Sequence, residues 1–115
     1  MNAASIDPAT FHELQASAGA AFVAELVGTF AEEAPQIVAE MRSALAAGAA
    51  ERFRRAAHSL KSNSSTFGAT RLAELARTLE RAGLPASAAA VDAVAHELAS
   101  SLAALQDLAL GHEHG

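Results

Sequence analysis

The sequence predicts an all-α fold: an antiparallel up-down-up-down four-helix bundle preceded by a short N-terminal helix. Three observations carry this. Alanine, the strongest helix former, supplies 32 of the 115 residues, while Trp and Tyr are absent and only three prolines occur. That composition favours helix and disfavours a β-sandwich or barrel. Apolar residues recur at helical spacings along four long segments. The breaks between those segments, at Gly48, Gly68 and Gly83, are only a few residues long, and short connections make sequential helices antiparallel neighbours.

Each element has its own local signal. Asp7-Pro8 reads as an N-cap followed by proline at the first helical position, opening a short helix from about Pro8 to Ala16 with Phe11 and Leu14 inward. A longer helix runs from about Ala20 to Ala47, with Val23, Leu26, Val27, Phe30, Ile37, Met41 and Leu45 at spacings of three, four and seven. Pro35 interrupts it, and an internal proline kinks or breaks a helix. Because the apolar face continues on both sides, one kinked helix is expected. Gly48 closes it as a C-terminal glycine. The third helix spans about Ala50 to Phe67, with Phe53, Ala57, Leu60, Ser64 and Phe67 on one face. Its stretch Ser62 to Thr66 is poor in helix formers, but the apolar spacing carries the helix through. Gly68 ends it. The fourth helix covers about Thr70 to Ala82, with Leu72, Leu75, Ala76 and Leu79 inward, and Gly83 ends it. The fifth covers about Ala86 to Leu108, with Val91, Val94, Leu98, Leu102, Leu105 and Leu108 inward. The whole reads as a single domain over residues 1–115, with a core at about 7–108 and a flexible tail at 109–115. The short first helix would serve as a lid.

Composition excludes several function classes. The chain has no cysteine, so disulfides, thiolate zinc sites and a catalytic cysteine are ruled out. A formal net charge of −5 is the wrong sign for nucleic-acid binding through the overall field. No apolar run approaches the roughly 20 residues that span a bilayer. Residues 1–9 lack the basic-then-apolar pattern of a secretory signal, so a cytoplasmic location is expected. There is no Glu-x-x-His or His-Glu-x-x-His pattern for a metal and no Gly-rich phosphate loop for ATP. No metal or bound cofactor, and no autonomous enzyme activity, is expected.

The five histidines separate on position. His12 and His96 fall on solvated helix positions, and His112 and His114 lie in the tail, where two ligands make no metal site. His58 lies opposite the core face of the third helix, with Arg54, Arg55, Lys61 and Ser62 one turn away. Lys61 is the only lysine in the chain. An exposed neutral imidazole can attack phosphorus, and adjacent cations stabilise charge on transferring phosphoryl oxygens. No carboxylate lies within one turn along this helix. A solvated face near arginines has the same appearance, so the residue types alone leave both readings open.

The segment Ala57-His58-Ser59-Leu60-Lys61-Ser62-Asn63-Ser64-Ser65-Thr66-Phe67-Gly68-Ala69 resembles the signature of the histidine-containing phosphotransfer (HPt) domain family. That signature is a histidine, an apolar residue two later, a lysine three later, a small residue four later and a glycine ten later. The long acidic helix with Glu33-Ala34-Pro35, the Ala47-Gly48-Ala49 turn and the Leu79-Glu80 pair are similar to the family too, so the resemblance covers about residues 7–108. Ser62 departs from it, standing where many members have glycine.

The resemblance implies a phosphorelay intermediate of a two-component system. His58 would accept a phosphoryl group from a receiver-domain aspartyl phosphate and pass it to another receiver. Lys61 would hold the phosphoryl oxygens, Ser62 would keep the ring accessible, and Gly68 would end the helix and let the third and fourth helices pack closely. The carrier has no ATP site of its own, and the partner receiver brings the Mg²⁺. Partners would be response-regulator receivers and a hybrid sensor kinase, met by a monomer. Receivers present an apolar patch around their aspartate, so the docking face would flank His58 with Arg54, Arg55 and Ser65, and with Ala31, Ala34 and Val38 of the second helix.

Two rivals are weighed against this. The phosphoacceptor hairpin of a sensor kinase usually has an acidic residue directly after its histidine and a proline soon after, whereas here Ser59 follows and no proline does. A non-phosphorylated helical adaptor would bind through the same two helices without taking up acid-labile phosphate.

Overall fold

In the computed structural model, which describes residues 5–111, five helices follow one another: α1 (Pro8–Ala18), α2 (Ala20–Ala47), α3 (Ala50–Thr66), α4 (Thr70–Ala82) and α5 (Ala89–Ala109). There is no strand among the described residues. Residues 112–115, with His112, His114 and most of the expected tail, lie outside the described residues.

The local signals act as their chemistry dictates. The Asp7 carboxylate accepts the Ala9 amide at 3.3 Å and the Thr10 hydroxyl at 2.7 Å, satisfying a donor that the first helical turn leaves open. The chain turns through 120° between α1 and α2 at Gly19, whose φ is +96°. Pro35 sits inside one helix, with helix assigned on both sides, because Val27, Phe30, Ala34, Val38 and Met41 are all buried and packing outweighs the missing hydrogen bond. Ser62 to Thr66 is helical too. The Ser64 hydroxyl donates to the Leu60 carbonyl at 2.6 Å and the Thr66 hydroxyl to the Ser62 carbonyl at 3.1 Å, so these side chains bond within the helix. Helix α5 begins at Ala89, three residues later than expected, and just before it the Ser87 hydroxyl accepts the Ala89 amide at 3.2 Å, a local turn bond of the kind serine favours over helix.

Helix α3 packs against both α2 and α4, and α5 packs against the same two helices, closing the bundle. The centre holds Phe11, Met41, Phe53, Leu60, Leu72 and Leu105, all fully buried. Buried Ala34, Ala44, Ala57 and Ala76 keep the helices close at low side-chain entropy loss. Helix α5 also carries a buried polar pair: Glu97, 7 % exposed, accepts from the Ser101 hydroxyl at 3.4 Å and lies 3.9 Å from Arg71.

Gly68 does end α3. Its amide donates to Ser65 O and the Ala69 amide to Ser64 O, the paired bonds of a glycine-terminated helix, at φ +79°. The close approach it permits, however, is to the N-terminal segment and not to α4. An added Cβ would lie 2.9 Å from Thr10 Cβ and 3.0 Å from the Asp7 carbonyl, and the Asp7 amide donates to Gly68 O at 2.7 Å. Gly48 has a similar φ of +68° but open space around it. Gly48→Ala should therefore lose only the roughly 1–2 kcal/mol of left-handed strain. Gly68→Ala should lose about 1–3 kcal/mol more from overpacking. Thermal melts of the two variants check this, and equal losses would mean that no contact opposes the Gly68 Cβ.

Candidate functional site

Amphipathic α3 sends Phe53, Ala57, Leu60 and Ser64 into the core, so His58, between these positions, projects outward. Its imidazole is 55 % exposed. Lys61, one turn on, leans toward α4. There the carboxylate of Glu80 lies between them: Oε2 is 2.8 Å from His58 Nδ1 and Oε1 is 2.9 Å from Lys61 Nζ. Glu80 is held in place because Leu79 beside it and Ala76 one turn back are buried. Its side chain is only 16 % exposed, so the acid is shielded while the ring is reachable.

This geometry fixes the chemistry of the ring. The hydrogen bond to Lys61, then that to His58, lowers the Glu80 pKa below the usual carboxylate value, so Glu80 is ionised at neutral pH and can only accept. A neutral His58 must therefore carry its proton on Nδ1, which places the lone pair on Nε2. Lys61 spends one of its three N–H donors on Glu80 and keeps two for another anion. The result is an imidazole held in one orientation with a cation beside it.

Glu80 was legible only as part of a family-like pair and not as a partner of His58. It stands 22 residues further on, and no carboxylate within α3 reaches the ring. The signal available was its place at the edge of the Leu72, Ala76 and Leu79 stripe, where a side chain flanks the neighbouring helix.

Ser62 is exposed one turn beyond His58, and Ser65 is exposed as well. Arg54 is tied to Glu51 by two bonds of 3.1 and 2.6 Å. Arg55 is exposed and borders an open groove of about 520 Å³ between α2 and α3, with Ser59. The expected α2 contribution to a docking face needs correction. Ala34 and Val38 are 0 % and 6 % exposed and belong to the core, because they continue the Val27 and Phe30 stripe through Pro35. Ala31 is only half-buried. The α2 side chains that line this groove are Glu33, Gln36, Ile37 and Glu40.

Among the described residues no three His, Asp or Glu side chains gather as metal ligands. No single helix there is long and apolar enough to cross a membrane. In comparison with known proteins, the family model described as Hpt domain matches residues 25–108, which includes all of α3 and α4. No curated protein and no solved structure matches.

Proposed function

Because the chain belongs to the Hpt domain family, whose members are phosphocarriers in two-component signalling, we propose that it is a phosphorelay intermediate with His58 as its phosphoacceptor. The observation that carries this is the exposed imidazole held at Nδ1 by Glu80 beside Lys61. The Nε2 lone pair attacks the phosphorus of a receiver's aspartyl phosphate. A P–N bond forms, the acyl P–O bond breaks, and the receiver's carboxylate leaves. The phosphorylated ring keeps its Nδ1 proton and is cationic, and Glu80 balances that charge. Lys61 turns its remaining donors to the phosphoryl oxygens, stabilising charge where it develops. Transfer onward to a second receiver is the same step reversed. The chain supplies no ATP site, and the receiver brings the Mg²⁺.

The reading extends to a monomeric, cytoplasmic single domain with the four long helices in up-down-up-down order. The short connections and the Arg52–Glu40 ion pair near the α2–α3 turn, 2.9 Å long, support that order. The partners are receiver domains and the hybrid sensor kinase that bears one, approaching over His58, Ser62 and Ser65. Incubation with a phosphorylated receiver should transfer acid-labile, base-stable phosphate to this chain. Absence of transfer from every receiver of the source organism would favour an adaptor.

Lys61→Ala should slow transfer tenfold or more, at least about 1.4 kcal/mol of barrier. Stability should change by no more than about 1 kcal/mol, since the lost ion pair is partly solvated. Single-turnover kinetics beside thermal melts separate the two effects. An unchanged rate would make Lys61 a support for Glu80 alone.

A further inference from the structure

The arginines around the site are not equivalent. Arg52 donates to both oxygens of Glu40, at 2.9 and 3.1 Å, and to Ser43. Arg54 does the same to Glu51. Arg55 directly follows Arg54 in sequence and feels both carboxylates, yet it makes no hydrogen bond or ion pair with any described residue. An exposed guanidinium with a fork of five donors stands uncommitted, one turn before the phosphoacceptor, on the wall of the α2–α3 groove. Half-buried Ile37 lines the opposite wall. Glu33, exposed and also without a bonded partner, closes the end nearer Asn63 and Thr66.

We propose that Arg55 is a specificity-determining residue: it pairs with an acidic side chain on the receiver segment that lies in this groove. This rests on the phosphorelay reading above. The occupant is an amphipathic segment that sets an apolar side chain on Ile37 and a carboxylate against Arg55. A receiver with a basic residue there loses the pair and leaves two cations facing each other. A carboxylate placed instead at the far end would meet Glu33. Like-charge opposition discriminates among partners that share the same phosphate chemistry, and rim charges act on encounter more than on chemistry. Arg55 is thus a positioning residue and touches no reacting atom.

The test uses the full chain and the receiver that phosphorylates it fastest. Arg55→Glu should raise the receiver concentration for half-maximal transfer tenfold or more, with the limiting rate within twofold of wild type. Arg55→Lys should recover most of the loss, and Arg55→Ala should lie between and flatten the salt dependence. Reversing one acidic residue of the receiver to arginine should restore Arg55→Glu. An unchanged half-saturating concentration would overturn the proposal, and so would a fall confined to the limiting rate. A wild-type dimer in light scattering that Arg55→Glu dissociates would give the groove to a second copy and also overturn it. Failure of the phosphorelay reading shows separately, as a wild-type chain that no receiver labels, and takes this proposal with it.

Discussion

His58→Gln should fold as the wild type does and take up no phosphate at all. The variant removes a ring that combines exposure, a fixed tautomer and an adjacent cation. Glutamine has no nucleophilic nitrogen, since its amide lone pair is delocalised. The fold should tolerate the change. The position points away from the core, and the hydrogen bond to Glu80 that is lost is half solvated, so about 1 kcal/mol or less is at stake. Lys61 still holds Glu80 in place. The measurement is labelled phosphate on the chain after exposure to a phosphorylated receiver, with a circular dichroism melt alongside. Label at the wild-type level would move the acceptor to another residue.

Ser62→Leu should have the second largest effect, a loss of transfer of about a hundredfold or more. Residues four apart on a helix stack on one face, so the residue at position 62 decides how much open space stands over the imidazole. In-line attack brings the reacting atoms to about 3–3.5 Å, and a displacement of about 1 Å can lower the rate about a hundredfold. The Ser62 side chain is exposed, and only its backbone carbonyl is engaged, by Thr66. Leucine therefore disturbs no internal bond and favours the helix more than serine. Ser62→Gly supplies the contrast: transfer retained, at about 0.5 kcal/mol of helix stability. Transfer time courses on both variants decide the matter. A Ser62→Leu protein that melts like the wild type and accepts phosphate at the wild-type rate would show that the receiver approaches from the α4 side.

What could be read before the structure was local, and what could not was the rotation of one helix against another. Helix α4 runs from Thr70 to Ala82 as its caps and apolar stripe predict, and α3 continues through its serine-rich stretch for the same reason. His58 and Lys61 stand together because their spacing lies within one helix. Glu80 was missed as their partner because reaching it depends on how α3 and α4 rotate about their axes, which no spacing within either helix encodes. The misplacement of Ala34 and Val38 was avoidable. The stripe Val23, Val27, Phe30 continues to Ala34, Val38 and Met41 along the single helix already expected through Pro35. Glu97 carried a signal as well, since Val94, Leu98, Ser101 and Leu105 share its face and a polar pair four residues apart can satisfy itself in a core.

The ion pair between Lys61 and Glu80 has a practical corollary for anyone who labels this protein. Lys61 is the only lysine, so an amine-directed dye, biotin ester or crosslinker has one side chain to find, and it is the one beside the proposed phosphoacceptor His58. Acylation there deletes the positive charge and leaves Glu80 facing the incoming phosphoryl group with no ammonium between them. A tag attached through Lys61 would thus read out as an inhibitor. A saturating phosphate-bearing partner should slow this acylation by occupying the ammonium's donors.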